Sequence, residues 1–228
     1  MNFKKYYAII VAGGKGLRLG SDIPKQFMLL NNKPILLYSI EAFSYSIYKP
    51  DLIIALSKEY QPYWLDLCKA HNITVRHSII NAGNNRSDTV RNAINYINNE
   101  HSIVAIHDGA RPLINTSLID KLYKTANETG TAVPVVDLVD AIAIKTKTKA
   151  HNIAKKDFWL VQTPQCFVGK DIKAAYNRCR DAIYDDDASL MEANGLSITR
   201  IKGERNNIKI TYPNDIVIAK SLLESGDI

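Results

Sequence analysis

The stretch most suited to chemistry is a glycine-rich loop that directly follows an apolar run. Residues 6–10 (Tyr-Tyr-Ala-Ile-Ile) have the composition of a buried strand. The loop after them contains Gly13, Gly14 and Gly16. Glycine lets a backbone turn tightly and bring its N–H groups close to an anion, and Arg18 and Lys25 add positive charge for phosphate oxygens. The pattern favours a polyphosphate site, and a strand-to-loop turn with solvated cations is the alternative.

The spacing of this loop excludes two common nucleotide-binding motifs. It contains no Gly-Lys-Ser/Thr at P-loop spacing, which argues against an ATPase of that class. Gly14-Lys15-Gly16 is followed by Leu17, Arg18 and Leu19, so the glycine pattern of dinucleotide-binding folds is not completed. The remaining prediction is a nucleoside triphosphate held by a glycine loop together with an arginine and a lysine.

Composition predicts one soluble domain that handles anions. A chain of 228 residues with a net charge of +6 suits anionic substrates, but it has no clustered Lys/Arg runs with interleaved aromatics, so nucleic-acid binding is not expected. No apolar run reaches the length of a membrane span. Cys68, Cys166 and Cys179 are far apart and odd in number, which predicts reduced thiols and a cytoplasmic location.

Apolar runs of strand length alternate with helical patterns, as expected for a parallel α/β fold. Thr116 or Ser117 is the expected cap of the fourth helix. We predict strands at 6–12, 52–56, 75–79, 103–106 and 132–136, and helices at 35–43, 60–70, 89–97, 117–126 and 171–182.

The regular alternation stops after Val136. Residues 137–160 alternate apolar and polar side chains and contain a lysine-rich stretch at 145–149, which predicts a β-hairpin arm with a basic tip. Such an arm buries little by itself, so it is either a surface flap or a contact with a second copy of the chain. We therefore expect one domain over residues 1–228 with this arm as its only excursion.

Candidate site residues follow three of the predicted strands. The glycine loop follows the first strand, Gly83-Asn84-Asn85-Arg86 follows the third, and His107-Asp108 follows the fourth. Ligands of open α/β sheets bind beyond the carboxyl ends of the strands, so these segments are expected to form one nucleotide site. Asp108 suits Mg²⁺ bound together with phosphates, with a turn or capping role as the alternative, and His107 is expected to be structural.

Six sequence blocks are spread over nearly the whole chain. They are Ala-Gly-Gly-x-Gly-x-Arg with Pro-Lys-Gln-Phe (12–27), Gly-x-x-Arg-Ser-Asp-Thr-Val (83–90), His-Asp-Gly-Ala-Arg-Pro (107–112), Gln-Thr-Pro-Gln (162–165), Asp-Asp-Ala-Ser (186–189) and Asn-Ile-Lys-Ile-Thr (207–211). Together, and in this order, they resemble the polyol-phosphate cytidylyltransferases, and most closely the enzymes acting on 2-C-methyl-D-erythritol 4-phosphate.

The resemblance implies a Rossmann-like, mostly parallel sheet with helices on both faces and a protruding β-arm. It also implies a cytoplasmic homodimer whose arm reaches the partner's site, and Mg²⁺-dependent attack of an acceptor phosphate on the α-phosphorus of CTP. Arg18, Lys25 and Lys209 would be catalytic, with Lys209 on a strand-like alternation. Asp108, Arg111, Lys155 and Thr163 would bind the acceptor, and Asp108 the metal. The residues expected around CTP are Ala12, Gly13, Gly14, Gly16, Gly83, Asn84, Thr89 and Gly109.

Two positions depart from the family pattern, and both bear on the acceptor. The arm usually carries a threonine where this chain has Ala141, and an arginine where it has Lys155. A lysine offers a point charge without the two-pronged geometry of a guanidinium. Ribitol 5-phosphate or a related pentitol phosphate is therefore the alternative acceptor. A non-catalytic nucleotide-binding regulator is disfavoured, because it would have no need for Arg18, Lys25, Asp108 and Lys209 together.

Overall fold

The computed structural model describes residues 5–14, 23–179 and 184–226. Its strands are β1 (Lys5–Val11), β2 (Leu29–Leu30), β3 (Lys33–Pro34), β4 (Asp51–Leu56), β5 (Ser78–Asn81), β6 (Ser102–Asp108), β7 (Thr131–Asp137), β8 (Ile142–Lys145), β9 (Ala150–Ile153), β10 (Trp159–Val161), β11 (Gln165–Val168) and β12 (Arg200–Lys202). Its α-helices are α1 (Ile35–Tyr45), α2 (Gln61–Ala70), α3 (Arg86–Tyr96), α4 (Thr116–Thr129), α5 (Gly169–Arg178), α6 (Asp187–Ala193) and α7 (Pro213–Glu224).

An eight-stranded sheet runs in the order β10-β7-β11-β6-β1-β4-β5, with β12 beside β7. Strands β6, β1, β4 and β5 are mutually parallel, whereas β11 joins β6 to β7 in antiparallel fashion. The loops after β1, β5 and β6 therefore leave the same edge of the sheet, as expected for a single site. The predicted mostly parallel α/β sheet is confirmed.

Helices cover both faces of this sheet, and successive side chains of β1 pack into the two hydrophobic cores on either side. Ala8 and Ile10 face a cluster that includes the buried side chains of α1, α2 and α4. Ile9 faces the opposite way and packs with the buried residues of α3, α5 and α6. A strand that is buried on both faces has a continuous apolar sequence, and for this reason β1 could be predicted from the sequence. No helix in the described ranges is long and apolar enough to cross a membrane.

Several element boundaries differ from the sequence-based prediction. The third parallel strand begins later than predicted, at Ser78 rather than residue 75. The cap of α4 is Asn115, whose side chain accepts a hydrogen bond from the Leu118 amide, so the expected capping by Thr116 or Ser117 is wrong. The Asn115 oxygen satisfies an amide that would otherwise have no partner at the start of the helix. The fifth helix, predicted over 171–182, spans Gly169–Arg178, and residues 180–183 lie outside the described residues.

The β-arm is a hairpin, as predicted, but it is shorter than residues 137–160. Strands β8 and β9 pair antiparallel, Ile142 with Ile153 and Lys145 with Ala150. The ends of the predicted segment belong to the main sheet instead, since Asp137 closes β7 and Trp159 pairs with it from β10. The hairpin therefore projects from two strands that are themselves anchored in the sheet.

Candidate active site

A cavity of about 810 Å³ lies at the carboxyl edge of the parallel strands. The loops after β1, β5 and β6 form its walls, and residues from the start and the end of the chain close it. Its lining consists of Val11, Ala12, Gly13, Gly14, Lys25, Gln26, Ser57, Gly83, Asn84, Asn85, Arg86, Thr89, Asp108, Gly109, Ala110, Lys209 and Thr211.

The described part of the glycine loop is held through its carbonyl oxygens. The buried Gln26 side chain donates from Nε2 to the carbonyls of Ala12 (2.7 Å) and Gly14 (3.0 Å). Ser57 Oγ donates to the carbonyl of Gly13 at 2.8 Å. Gln26 and Ser57 were not identified from the sequence, although Gln26 lies within the Pro-Lys-Gln-Phe block. Gly16 and Arg18 lie outside the described residues.

The opposite wall is the loop that leads from β5 into α3. The Gly83 amide donates to Thr89 Oγ1 at 3.0 Å, and that hydroxyl donates to the carbonyl of Asn85 at 2.8 Å. A side chain at position 83 would come within 2.7 Å of the carbonyl carbon of Asp88, so only glycine fits there. The Thr89 hydroxyl thus fixes the loop, and Gly83 allows the strand end to pass close to the helix.

Two lysines reach the cavity from distant parts of the chain. Lys25 opens a short 3₁₀ helix (Lys25–Phe27) and donates from Nζ to the carbonyl of Ile210 at 2.6 Å. Lys209 Nζ lies 2.7 Å from Asp108 Oδ2. Residues 206–211 form an irregular segment rather than the expected strand, held by bonds such as that from the Ile210 amide to the carbonyl of Ala110. Ile208 and Ile210 nevertheless pack into one apolar cluster while Lys209 contacts Asp108, as the alternation predicted.

Asp108 sits among positive charges at the end of β6. Its Oδ1 accepts from Arg86 Nε at 3.3 Å, and Arg111 contributes a further positive charge nearby. Burial alone would raise the pKa of Asp108, but the charges of Arg86, Lys209 and Arg111 outweigh it and hold that pKa well below its usual range. Asp108 is therefore an ionised carboxylate.

His107 points away from the cavity into the core. Its Nε2 lies 3.2 Å from the carbonyl oxygen of Arg111, an acceptor only, so we assign the proton to Nε2. Its Nδ1 then accepts from the hydroxyl of Thr163, which in turn accepts from the Asp108 amide at 3.0 Å. Burial lowers the pKa of His107 to about 4. The side chain is neutral near pH 7, and its structural role agrees with expectation.

A smaller cavity of about 320 Å³ adjoins the first one. The two cavities share Arg86, Asp108 and Lys209. Arg111 lies in the smaller cavity with its Nη1 donating to the carbonyl of Asn207 at 2.7 Å. Its remaining lining residues are Val161, Gln162, Thr163, Gln165, Asp185, Asp186 and Ser189. The arrangement can hold one anionic molecule in each cavity, on opposite sides of the charged cluster of Arg86, Asp108 and Lys209.

Comparison with known proteins identifies the family. The family model for 2-C-methyl-D-erythritol 4-phosphate cytidylyltransferase matches residues 6–225. The chain belongs to this family. The cytidylyltransferases of Phocaeicola vulgatus and Bacteroides fragilis are 39% and 38% identical to it, over 95% of this chain and 99% and 98% of theirs.

Solved cytidylyltransferase structures share the fold. The enzyme from Francisella tularensis superposes with a TM-score of 0.79 at 27% identity, covering 95% of this chain and 99% of that one. A 4-diphosphocytidyl-2C-methyl-D-erythritol synthase from Anaerococcus prevotii gives a TM-score of 0.83, with 96% of both chains covered and 22% identity. The Rossmann-like architecture implied by the resemblance is thereby confirmed.

Within this cytidylyltransferase, the structure brings most predicted site residues together. Lys25, Lys209, Asp108 and the residues expected around CTP that are described all line the larger cavity, whereas Arg111 and Thr163 line the smaller one. Lys155 lies apart: it is exposed on a 3₁₀ helix (Lys155–Asp157), donates to the carbonyl of Val139, and lines neither cavity.

The metal expectation rests on a single carboxylate. The described residues contain no group of three or more His, Cys, Asp or Glu side chains arranged to hold an ion. Mg²⁺ nevertheless binds through one or two carboxylates plus substrate phosphates and waters. The ionised Asp108, which lines both cavities, fits that mode of binding.

Proposed function

We propose that this chain transfers the cytidylyl group of CTP to 2-C-methyl-D-erythritol 4-phosphate, releasing pyrophosphate and 4-diphosphocytidyl-2-C-methyl-D-erythritol. The observation that carries the proposal is the pair of adjoining cavities that share Arg86, Asp108 and Lys209. Two polyanions must meet in this reaction, and the shared cluster lies where they would meet. Family membership supplies the identity of both substrates.

CTP occupies the larger cavity in this proposal. Its base lies between the loops that contain Gly13 and Gly83, where backbone groups read the pyrimidine edge, and its phosphates run toward Lys25. Arg18 is assigned to the same phosphates by resemblance. The glycines allow this close approach because no side chain intervenes.

The acceptor occupies the smaller cavity, with Arg111 as its binding residue; Thr163 lines the same cavity, but its hydroxyl donates to His107 and positions the Asp108 amide instead. Its phosphate oxygen forms a bond to the α-phosphorus of CTP as the bond from that phosphorus to the bridging oxygen breaks and pyrophosphate leaves. The nucleophile is already an anion, so no strong general base is needed. Catalysis then consists of positioning and of stabilising negative charge, which are the roles assigned to Lys25, Lys209 and Arg18.

Mg²⁺ is part of the proposal, with Asp108 as its protein ligand and the phosphates of CTP as the others. The ion would neutralise charge on the triphosphate and the leaving pyrophosphate. Lys209 would then exchange part of its contact with Asp108 for a contact with phosphate.

The homodimer is also part of the proposal, since exposed apolar side chains lie at the base of the β-arm. Trp159 and Leu160, at the base of the arm, are about half exposed (52% and 53%), and Val139 is 62% exposed. Exposed apolar patches of this kind mark interaction surfaces. Lys155 lines neither of the two cavities formed by the described residues, which suits a role in the site of a second copy. The free thiols of Cys68, Cys166 and Cys179 support a cytoplasmic location.

The test is an assay of the purified protein with CTP, Mg²⁺ and each of two acceptors. We expect pyrophosphate release and a product of the expected mass with 2-C-methyl-D-erythritol 4-phosphate, and little turnover with ribitol 5-phosphate. EDTA should abolish the signal and added Mg²⁺ should restore it. Faster turnover with ribitol 5-phosphate would overturn the acceptor assignment, and no pyrophosphate with either acceptor would overturn the proposed activity.

A further inference from the structure

A buried carboxylate outside both cavities is linked to the centre of the site. Asp187 lies in the first turn of α6 and is fully buried. Its Oδ2 accepts from Arg86 Nη2 at 2.7 Å, and its Oδ1 accepts from the hydroxyl of Tyr176 on α5. Arg86 then reaches Asp108 through Nε, as described above. One arginine thus joins a carboxylate in the core to a carboxylate in the site.

The orientation of Arg86 depends on this pair of carboxylates. A guanidinium is planar and rigid, so two acceptors on different sides fix both its position and its plane. Its third nitrogen, Nη1, is buried and has no hydrogen-bond partner among the described residues. Without Asp187, Asp108 alone would hold the group, and the plane of the guanidinium could rotate about that single contact.

We propose that Asp187, held by Tyr176, is a positioning residue: it orients Arg86 and, through Arg86, the Asp108 carboxylate for cytidylyl transfer. Asp187 itself lines neither of the two cavities. The inference rests on the proposed function, because it concerns the same reaction. The competing interpretation is that Asp187 only balances a buried charge and contributes to stability alone.

The first test compares Asp187→Asn with a matched variant on the same helix. Asp187→Asn keeps the size of the side chain and removes its charge, so kcat should fall about 10- to 100-fold, as for other residues that orient a ligand-binding group. The KM for CTP should change much less than kcat, because the base-binding loop is held by its own bonds to Thr89 and Asn85. Glu192→Gln removes an exposed ion pair to Arg200 and should leave kcat unchanged.

A double substitution separates positioning from stability. If Asp187 acts only through Arg86, adding Asp187→Asn to Arg86→Met should cause no further loss of kcat. It should also raise the melting temperature above that of Arg86→Met, because it removes a buried carboxylate that has lost its partner. Losses that multiply in the double variant, or an Asp187→Asn enzyme with normal kcat and a lower melting temperature, would overturn the inference.

Tyr176→Phe keeps the test decisive if the charge variants do not fold. It removes one hydrogen bond to Asp187 and leaves every charge in place. We expect a smaller loss of kcat with an unchanged KM for CTP, and an unchanged kcat in the folded variant would count against positioning. The wild-type assay distinguishes the two proposals: an inactive wild type refutes the proposed function, whereas an active wild type with active variants refutes only the role of Asp187.

Discussion

Lys25 can be compared with Lys58, which occupies a similar backbone position outside the site. Lys25 and Lys58 each open a three-residue 3₁₀ helix after a parallel strand and its loop. Lys25 lines the larger cavity, whereas Lys58 is exposed and lies outside the cavity lining. The two lysines therefore differ in surroundings far more than in local backbone, which makes them a matched pair.

We predict that Lys25→Ala lowers kcat about 100- to 1,000-fold, the usual cost of losing a group that stabilises charge in the transition state. Lys58→Ala should leave kcat unchanged. Steady-state kinetics with both substrates saturating measures the difference, and circular dichroism checks that both variants fold. A Lys25→Ala enzyme with near wild-type kcat would remove this lysine from the mechanism.

The neutral state of His107 makes stability depend on pH. Its pKa is about 4 in the folded protein, below the value of about 6.5 expected in the unfolded chain. Between these values the unfolded chain binds the extra proton and the folded protein does not. The free energy of unfolding therefore rises with pH across this window, and the contribution of His107 is lost as the pH falls from about 6.5 toward 4.

We predict that lowering the pH from 7 to 5 costs about 2 kcal/mol of stability through His107 alone. His107→Gln has no titrating ring, and its amide can still donate to Arg111 and accept from Thr163. Urea unfolding at both pH values should therefore show a smaller loss of stability for the variant than for the wild type. Equal losses in the two proteins would show that another group dominates acid destabilisation.

At the scale of elements, the two loops that form the larger cavity meet at a contact between Gly13 and Ala82. A Cβ atom added to Gly13 would lie far inside contact distance of the Cβ of Ala82, and its next neighbours are 3.7 Å or more away. The obstacle is therefore a single methyl group on the facing loop. Removing that methyl group should make room for one at position 13.

We predict that Gly13→Ala pushes the two loops apart and raises the KM for CTP. In the double variant Gly13→Ala/Ala82→Gly the methyl group moves from one loop to the other, and the KM should return toward the wild-type value. Ala82→Gly alone controls for added backbone freedom. If the double variant is no better than Gly13→Ala, close packing of these loops does not control CTP binding.

The strands that could be predicted from the sequence are the long ones that are buried on both faces. β1 and β6 are continuous apolar runs because helices cover both of their faces. β11 has four residues and β12 has three, and their pairing with β7 depends on distant segments. Such short strands carry too little periodic pattern to be recognised before their neighbours are known. Helices α6 and α7 were missed as well.

At the scale of the whole molecule, the sequence likewise predicted only those parts of the candidate site that do not depend on contacts between distant segments. Lys25, Asp108 and Lys209 were identified because they lie in recognisable sequence blocks. The link from Asp187 through Arg86 to Asp108 was not found, because its members lie far apart in the chain and only the packing of α3, α5 and α6 against the sheet brings them together. Spacing along a sequence predicts which residues follow a strand, but not which charges meet across helices.

The proposed dimer can be tested by combining two different inactive variants in one dimer. If the arm of each subunit completes the partner's site, Lys155→Ala damages the partner's site and Lys25→Ala damages the subunit's own. Each variant alone should be impaired. In a mixed dimer, one site carries both substitutions and the other carries neither, because two-fold symmetry exchanges the arms.

We predict that mixing these two variants under conditions of subunit exchange restores part of the wild-type activity. Lys58→Ala mixed with Lys25→Ala is the control for charge, since Lys58 is exposed, lies outside the arm and does not line the larger cavity. Differently tagged subunits and native mass spectrometry would establish how much mixed dimer has formed. No recovery despite confirmed exchange, or full activity from a monomer at assay concentration, would contradict the shared site, because a site complete within one chain gains nothing from its partner.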